Sequence, residues 1–305
     1  MEKIIAVIVT YNGMKWVEEC LQSIQSSSIP IEILVVDNAS SDMTVAFVKK
    51  KFTKAVVLEQ NQNLGFGKAN NIGIDYALKA NADYVFLLNQ DAKVEENTVE
   101  KLIFCFKKNK KYGILSPLHL NWDGNDVEPG FYNQELFADL VLKKNLKNVY
   151  IEERFINASC WLLPKQTLNI VGGFDPIFFH YGEDVNYCQR ILFHGLKLGI
   201  VARTKVYHDT TNTNQIKAQV YENNFMQIER HFKNQTLIKF ANVNTNDYLK
   251  FNGFRNKMIL KLLCSLITFD RKEIWSNYQK FKLLKKLGVK SSVIANKKAG
   301  KTHLL

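Results

Sequence analysis

The sequence predicts an α/β fold carrying a basic, mainly helical C-terminal extension, and three observations lead there. Strand-like and helix-like runs alternate through the first hundred residues, the strand-like runs are almost continuously apolar, and beyond about residue 215 the chain turns helical and basic. Alternation of this kind builds a parallel sheet with helices on both faces. Strands buried on both faces lose the in-out alternation of half-exposed ones and read as apolar blocks.

Residues 4–10 (Ile-Ile-Ala-Val-Ile-Val-Thr), 31–37, 55–59 and 84–88 supply four such strands, with helical segments at 16–26, 43–50 and 67–79 between them. The middle is less regular: Pro117, Gly124, Pro129 and Gly130 divide it into short strands and loops up to about residue 142. Another strand is predicted at 155–163, then a turn at Gly172-Gly173-Phe174-Asp175-Pro176. A helix over 183–194 places Cys188, Ile191 and Leu192 on one face, and strand-like pieces follow at 198–201 and 204–208.

With 46% hydrophobic and 23% charged residues over 305 positions, the chain can bury a large core, which excludes general disorder. The net charge of +12 is uneven. Residues 231–305 hold 16 Lys/Arg against Asp247, Asp270 and Glu273, while the preceding 230 residues hold 25 Lys/Arg and 26 Asp/Glu. A nucleic-acid enzyme would spread basic groups over its cleft. A basic extension on a neutral body suits an anionic membrane surface or a solvated helical face. The five scattered cysteines, with no Cys-x-x-Cys pair, suit reduced thiols and a cytoplasmic setting. No stretch reaches the ~20 apolar residues of a membrane span.

In an open α/β sheet the carboxyl ends of the strands hold the ligand. Those tips read Thr10-Tyr11-Asn12, Asp37-Asn38-Ala39-Ser40 and Asn89-Gln90-Asp91, all polar after apolar strands. Such residues also serve ordinary turns. Neither a dinucleotide glycine fingerprint nor a phosphate-loop lysine follows the first strand, which argues against a NAD dehydrogenase or a P-loop kinase. Glycines come later, in the run from Asn61 through Asn63, Gly65, Gly67, Lys68 and Asn71 to Gly73.

These pieces, together with Gly172-Gly173-Phe174-Asp175 and Tyr181-Gly182-Glu183-Asp184, occur in an order that resembles the inverting glycosyltransferases of family 2, and in particular their rhamnosyltransferase-like branch. The resemblance spans roughly residues 3–210. It implies a GT-A fold, with a mixed central sheet flanked by helices over 1–215 and the helical extension over 216–305. It also implies transfer of a sugar, with rhamnose suggested by the branch, from a nucleotide-diphosphate donor to a hydroxyl of a glycan or lipid-linked oligosaccharide in cell-surface polysaccharide synthesis.

The same resemblance assigns roles. Thr10, Tyr11, Asn12, Asp37, Asn63, Lys68, Asn71, Asn89 and Asp91 become donor-nucleotide contacts. The family's Asp-x-Asp motif reads Asn89-Gln90-Asp91 here, so Asp91 alone offers a carboxylate to Mg²⁺ or Mn²⁺, with His208 completing the site. A departing diphosphate needs such cationic help. Asp184 is the expected base that takes the acceptor's proton, with Glu183 as the second choice. At a helix start both acids could instead answer the helix dipole. Trp161 and Phe179 could flank the sugar or belong to the core.

Two other functions compete. A sugar nucleotidyltransferase would show a Gly/Arg-rich phosphate loop after the first strand, where Thr10-Tyr11-Asn12-Gly13 stands. An inactive glycan- or nucleotide-binding module accords with the incomplete acid motif but not with Asp91, Asp184 and His208 together. In residues 255–287 apolar clusters alternate with lysines, a pattern of helices that lie on bilayers at the inner membrane face or that pack with lysines outward. No nucleic-acid partner is expected.

Overall fold

A computed structural model describes residues 2–128, 150–211 and 225–304. Part of the loop region expected up to residue 142, and the expected boundary at 215/216, lie outside them. The first hundred residues form β1 (Ile4–Thr10), α1 (Val17–Gln25), β2 (Glu32–Asp37), α2 (Thr44–Lys51), β3 (Val56–Glu59), α3 (Phe66–Lys79), β4 (Tyr84–Leu88), β5 (Ala92–Val94) and α4 (Thr98–Lys108). Next come β6 (Tyr112–Asn121), β7 (Tyr150–Glu153), β8 (Cys160–Pro164), α5 (Lys165–Val171), α6 (Glu183–Phe193) and β9 (Lys197–His208).

The strands form one mixed sheet in the order β3-β2-β1-β4-β8-β6-β9-β5, with β7 also on β9. β1 pairs in parallel with β2 and β4, β8 runs antiparallel to β4, and β6 is parallel to β9. Successive side chains of a strand face opposite sides, and the core divides accordingly. Ile5 and Val7 pack with α3, α5 and α6. Ile4, Ala6 and Ile8 pack with α1 and α4. α1 faces its layer with Val17, Cys20, Leu21 and Ile24, the i, i+3, i+4, i+7 stripe of an amphipathic helix. Gly73 lets α3 lie against β1, where a Cβ would collide with Val7.

Three differences from the sequence reading have physical causes. Pro117 does not end a strand; β6 runs through it at a register irregularity, Pro117 pairing with Val201 and Leu118 with Lys205. A proline lacks the ladder N–H and is tolerated at such breaks. The two pieces expected at 198–201 and 204–208 are one strand, bent where Thr204 Oγ1 donates to the Val201 carbonyl at 2.8 Å. The strand expected at 155–163 begins only at Cys160, and Asn157 instead caps a turn by accepting from Ser159 Oγ at 2.9 Å.

The C-terminal region forms α7 (Phe225–Phe240), a 3₁₀ turn at Asp247–Lys250, α8 (Phe251–Thr268), α9 (Arg271–Lys286) and α10 (Val289–Lys297). Their inner faces gather Leu237, Phe240, Phe251, Met258, Leu284 and Val293 around Phe178. Asp175, buried, accepts from Ser292 Oγ at 2.5 Å and from Asn296 Nδ2 at 2.6 Å. The turn before α6 and the final helix are thus held by a charge-assisted, water-excluded contact.

Candidate active site

The polar strand tips are cross-linked. Thr10 Oγ1 donates to Asp37 Oδ1 at 2.8 Å, and Asp37 also accepts from Ser40 N and Oγ at 2.9 and 2.6 Å. Asn12 donates its N–H to Ser40 Oγ and accepts from Ser41 N. Gln90 makes a reciprocal pair with the Tyr11 backbone. Asn38 Nδ2 donates to Asn63 Oδ1 at 2.9 Å, while Asn38 Oδ1 accepts from Leu64 N. Asn12 (φ 49°), Ala39 (φ 66°) and Tyr181 (φ 67°) occupy the left-handed region, a strain that recurs at ligand sites and that the cross-links here sustain.

These tips border a cavity of about 400 Å³, with Tyr11, Asn38, Asn63, Asn89, Gln90 and Asp91 on one side and Phe179, His180 and Arg230 on the other. Gly65 belongs to the same wall at φ 82°, where a Cβ would collide with the Phe179 carbonyl. A larger cavity, about 790 Å³, opens at the amino ends of β1 and β2 against Ile4, Ile31 and Phe52. That is the wrong end of an α/β sheet for its ligand, and the polar tips are absent from it.

Asp91 follows β4 and His208 ends β9; the pairing of Ala92 with His208 sets them side by side. His208 Nε2 lies 3.3 Å from Asp91 Oδ1, and its Nδ1 lies 3.1 Å from Glu128 Oε1 without the alignment of a hydrogen bond. Burial works against a charged imidazole here, but the two carboxylates outweigh it and hold His208 up to about 10. Glu128 in turn is opposed by burial yet drawn down to about 2 by His119 and His208. His119, fully buried, bonds Glu128 Oε2 at 3.1 Å and Ser116 Oγ at 2.8 Å, and burial keeps its own protonation low.

A divalent cation would fit this donor set by displacing the proton that Asp91 and Glu128 hold on His208, since a ligating imidazole must be neutral. One carboxylate and one imidazole face each other, and Mg²⁺ or Mn²⁺ commonly completes such a set with substrate phosphates and water. Among the described residues no cluster of three or more His, Cys, Asp or Glu is arranged to hold an ion alone.

Glu183 and Asp184 open α6 behind Gly182 (φ 98°). Glu183 is buried, its Oε2 has no partner, and burial followed by the neighbouring Asp184 charge pushes it up to about 7. Asp184 keeps some exposed surface, and its crowded surroundings raise it to about 6 against the backbone N–H groups that favour its anion. The Tyr181 hydroxyl is raised by burial and then by Glu183, Asp91 and Asp184, with Arg230 opposing. His180 is pushed down to about 4 by burial and by Arg230, so it is neutral at pH 7.

Glu183 and Asp184 stand apart at the start of α6, off the cavity lining, and the other predicted residues divide into three sets. Tyr11, Asn63, Asn89 and Asp91 line the cavity, with His208 against Asp91. Thr10, Asn12 and Asp37 are engaged in holding the tips. Lys68 is exposed in the first turn of α3 and Asn71 is buried, both off the lining. Asn71 accepts from Phe174 N at 2.7 Å and donates to the Phe174 and His303 carbonyls. Trp161 is core, stacked on Phe174 with centroids 5.9 Å apart, whereas Phe179 is half exposed on the cavity.

Arg230, Glu128 and His119 carry no strand-tip signal and escape a sequence reading. Arg230 arrives from α7, far along the chain from the sheet it faces. Arg190, wholly buried in α6, donates to the Gly173 carbonyl at 2.5 Å and to the Val171 carbonyl, fixing the turn that leads to the acids.

Comparison with known proteins agrees with this geometry. Residues 5–168 match the family described as Glycosyl transferase family 2. The chain is 26% identical over 215 residues to the dTDP-rhamnosyl transferase RfbF of Shigella flexneri, covering 67% of this chain and 68% of that protein. It is 25% identical over 229 residues to the N-acetylglucosaminyl-diphospho-decaprenol L-rhamnosyltransferase of Mycobacterium tuberculosis, covering 66% and 74%. The crystal structure of S. aureus TarS 1-349 in complex with UDP shares the fold at a TM-score of 0.52 and 14% identity, over 94% of this chain and 92% of that one.

Proposed function

The chain belongs to glycosyl transferase family 2, and from that premise we propose that it is an inverting enzyme that moves a sugar from a nucleotide diphosphate to a hydroxyl of a glycan or lipid-linked oligosaccharide. The observation that carries the proposal is the single cavity onto which Tyr11, Asn89, Asp91 and Arg230 converge. Tyr11, half exposed at the tip of β1, offers a face for the base, and the exposed Asn63, its Oδ1 held by Asn38, offers its Nδ2 to the nucleoside. Thr10, Asn12 and Asp37 hold that platform. Arg230 reaches the cavity where the diphosphate would lie and offers it a planar, bidentate cation.

A divalent cation held by Asp91 and His208 would neutralise the charge gathering on the leaving diphosphate. Asp184, partly exposed at the start of α6, is the base that receives the acceptor proton. Glu183 is protonated over much of the neutral range and buried, which suits a structural neighbour better than a base. The names of the two rhamnosyl relatives support rhamnose from dTDP-rhamnose as the sugar, and the second supports a lipid-linked acceptor, which would place the reaction at a membrane face.

The test is thermal stabilisation by UDP, GDP and dTDP, each with and without Mn²⁺, on the protein and on Asp91→Ala. A ligand at a hundredfold its Kd adds about 2.7 kcal/mol of stability. One nucleoside diphosphate should stabilise the protein strongly with Mn²⁺ and weakly without it, and Asp91→Ala should lose the difference. Indifference of the protein to all three ligands would sink the proposal.

A further inference from the structure

Within α8, Leu260, Leu263, Cys264 and Ile267 stand at i, i+3, i+4 and i+7, the spacing that ordinarily marks the side of a helix turned to a core. Here that side faces outward. Leu260 is 61% exposed, Leu263 51% and Ile267 76%, with Cys264 also exposed. The buried residues of α8 are Phe251, Met258 and Ser265, which occupy other positions around the helix. Phe269, in the left-handed conformation that ends the helix, is 85% exposed. Trp275 and Tyr278 of α9 are half exposed as well.

The charges nearby indicate what covers this surface. Residues 251–286 hold nine Lys/Arg against Asp270 and Glu273. Lys257 and Lys261 lie within the α8 stripe's own turns, and Arg271 and Lys272 follow Phe269 directly. A second copy of the chain would bring these cations against one another. Among the described residues no helix is long and apolar enough to cross a membrane. An apolar stripe edged with lysines, on a helix that does not span, is what an interfacial helix presents to lipid, its apolar side chains among the upper acyl chains and its lysines reaching the headgroups.

We infer that the α8–α9 hairpin is a membrane-docking surface, seated in the interface of an anionic phospholipid bilayer through Leu260, Leu263, Ile267 and Phe269. This refines the membrane-face placement proposed above, while vesicle binding and sugar transfer to a soluble acceptor can each fail without the other.

Cys264 allows a direct test, because the other four cysteines are buried and it alone should label on the folded protein. The full chain, carrying an environment-sensitive fluorophore at Cys264, is mixed with phosphatidylcholine vesicles and with phosphatidylcholine–phosphatidylglycerol vesicles. The label should shift to the blue with the anionic vesicles and much less with the neutral ones, and added salt should weaken the response. In cosedimentation, Leu260→Ser, Leu263→Ser and Ile267→Ser combined should lower partitioning by roughly tenfold or more with the melting temperature kept, since these side chains are already in water. Lys257→Gln with Lys261→Gln should weaken binding mainly at low salt. A label that ignores anionic vesicles, or a triple-serine variant that binds as the parent does, overturns the inference. So does a dimer in sedimentation equilibrium that the triple-serine variant dissociates while neither form binds vesicles, which assigns the face to a second copy.

Discussion

Gln90 grips the backbone of Tyr11 twice, its Oε1 accepting the Tyr11 N–H at 2.9 Å and its Nε2 donating to the Tyr11 carbonyl at 3.1 Å. The middle residue of the Asn-Gln-Asp motif thereby fixes the tip of β1 against the tip of β4. Each such bond is worth about 0.5–1.5 kcal/mol. Gln90→Ala should weaken nucleoside-diphosphate affinity about tenfold in calorimetric titration while leaving the fold intact. Gln90→Glu, which keeps an acceptor but loses the donor, should fall between. Unchanged affinity in Gln90→Ala would show that Tyr11 needs no such restraint.

Asp184→Asn should keep donor affinity and lower turnover by about 10²–10⁴-fold, the usual contribution of a positioned base. In the parent, kcat/KM should decline below about pH 6, where the raised Asp184 carboxyl takes up its proton. Glu183→Gln is the control, because adjacent helical residues point about 100° apart. A dead Glu183→Gln beside an active Asp184→Asn would move the base by one residue.

Glu183 should govern how stability depends on pH. Its folded carboxyl is raised to about 7 by burial and by Asp184. The folded state thus holds a proton that the unfolded chain releases near its ordinary value, so the stabilisation is complete below that value and lost as pH rises through about 7. The full effect is of order 3 kcal/mol, from a rise of about 2.5 pH units at about 1.4 kcal/mol each. Glu183→Gln, neutral throughout, should gain in melting temperature relative to the parent between pH 5 and pH 8. A difference that stays flat with pH would place the carboxyl outside this account.

Arg230→Gln should separate diphosphate from nucleoside. Affinity for the nucleoside diphosphate should fall by about ten- to a hundredfold, from the loss of a charged contact of about 1.5–3 kcal/mol, while the weak affinity for the bare nucleoside stays put. Equal losses for both ligands would place Arg230 against the nucleoside instead.

The parallel half of the sheet was legible because β1, β4 and the carboxyl end of β2 are buried on both faces and α1 carries an unbroken stripe. The rest was not: β5 has three residues and β7 four, and Pro117 interrupts the pattern of β6. At the site, strand-tip logic found the residues that adjoin the sheet, since a tip's chemistry is written beside its strand. Arg230 and Glu128 reach the same neighbourhood through tertiary packing, which leaves no local trace. Asn71 shows the converse, a motif position whose amide is spent on the Phe174 backbone. The outward stripe of α8 has the period of a core helix, and only the fold shows which way it turns.

The contacts of residues 302–304 with Asn71, Gly173 and Arg190 set a timetable for the chain's synthesis. Gly173 N donates to the Thr302 carbonyl at 2.8 Å, and Asn71 Nδ2 reaches the His303 carbonyl at 3.1 Å across 232 positions of sequence. At about 5–20 residues per second, Asn71 leaves the ribosome roughly ten to fifty seconds before its partner exists. The sheet can assemble in that interval, but the turn that carries Phe174 and Asp175 cannot yet be locked. A nascent polypeptide stalled before residue 300 would therefore hold formed strand tips beside an unsecured Glu183–Asp184 helix, and the two parts of the proposed site would mature at different moments.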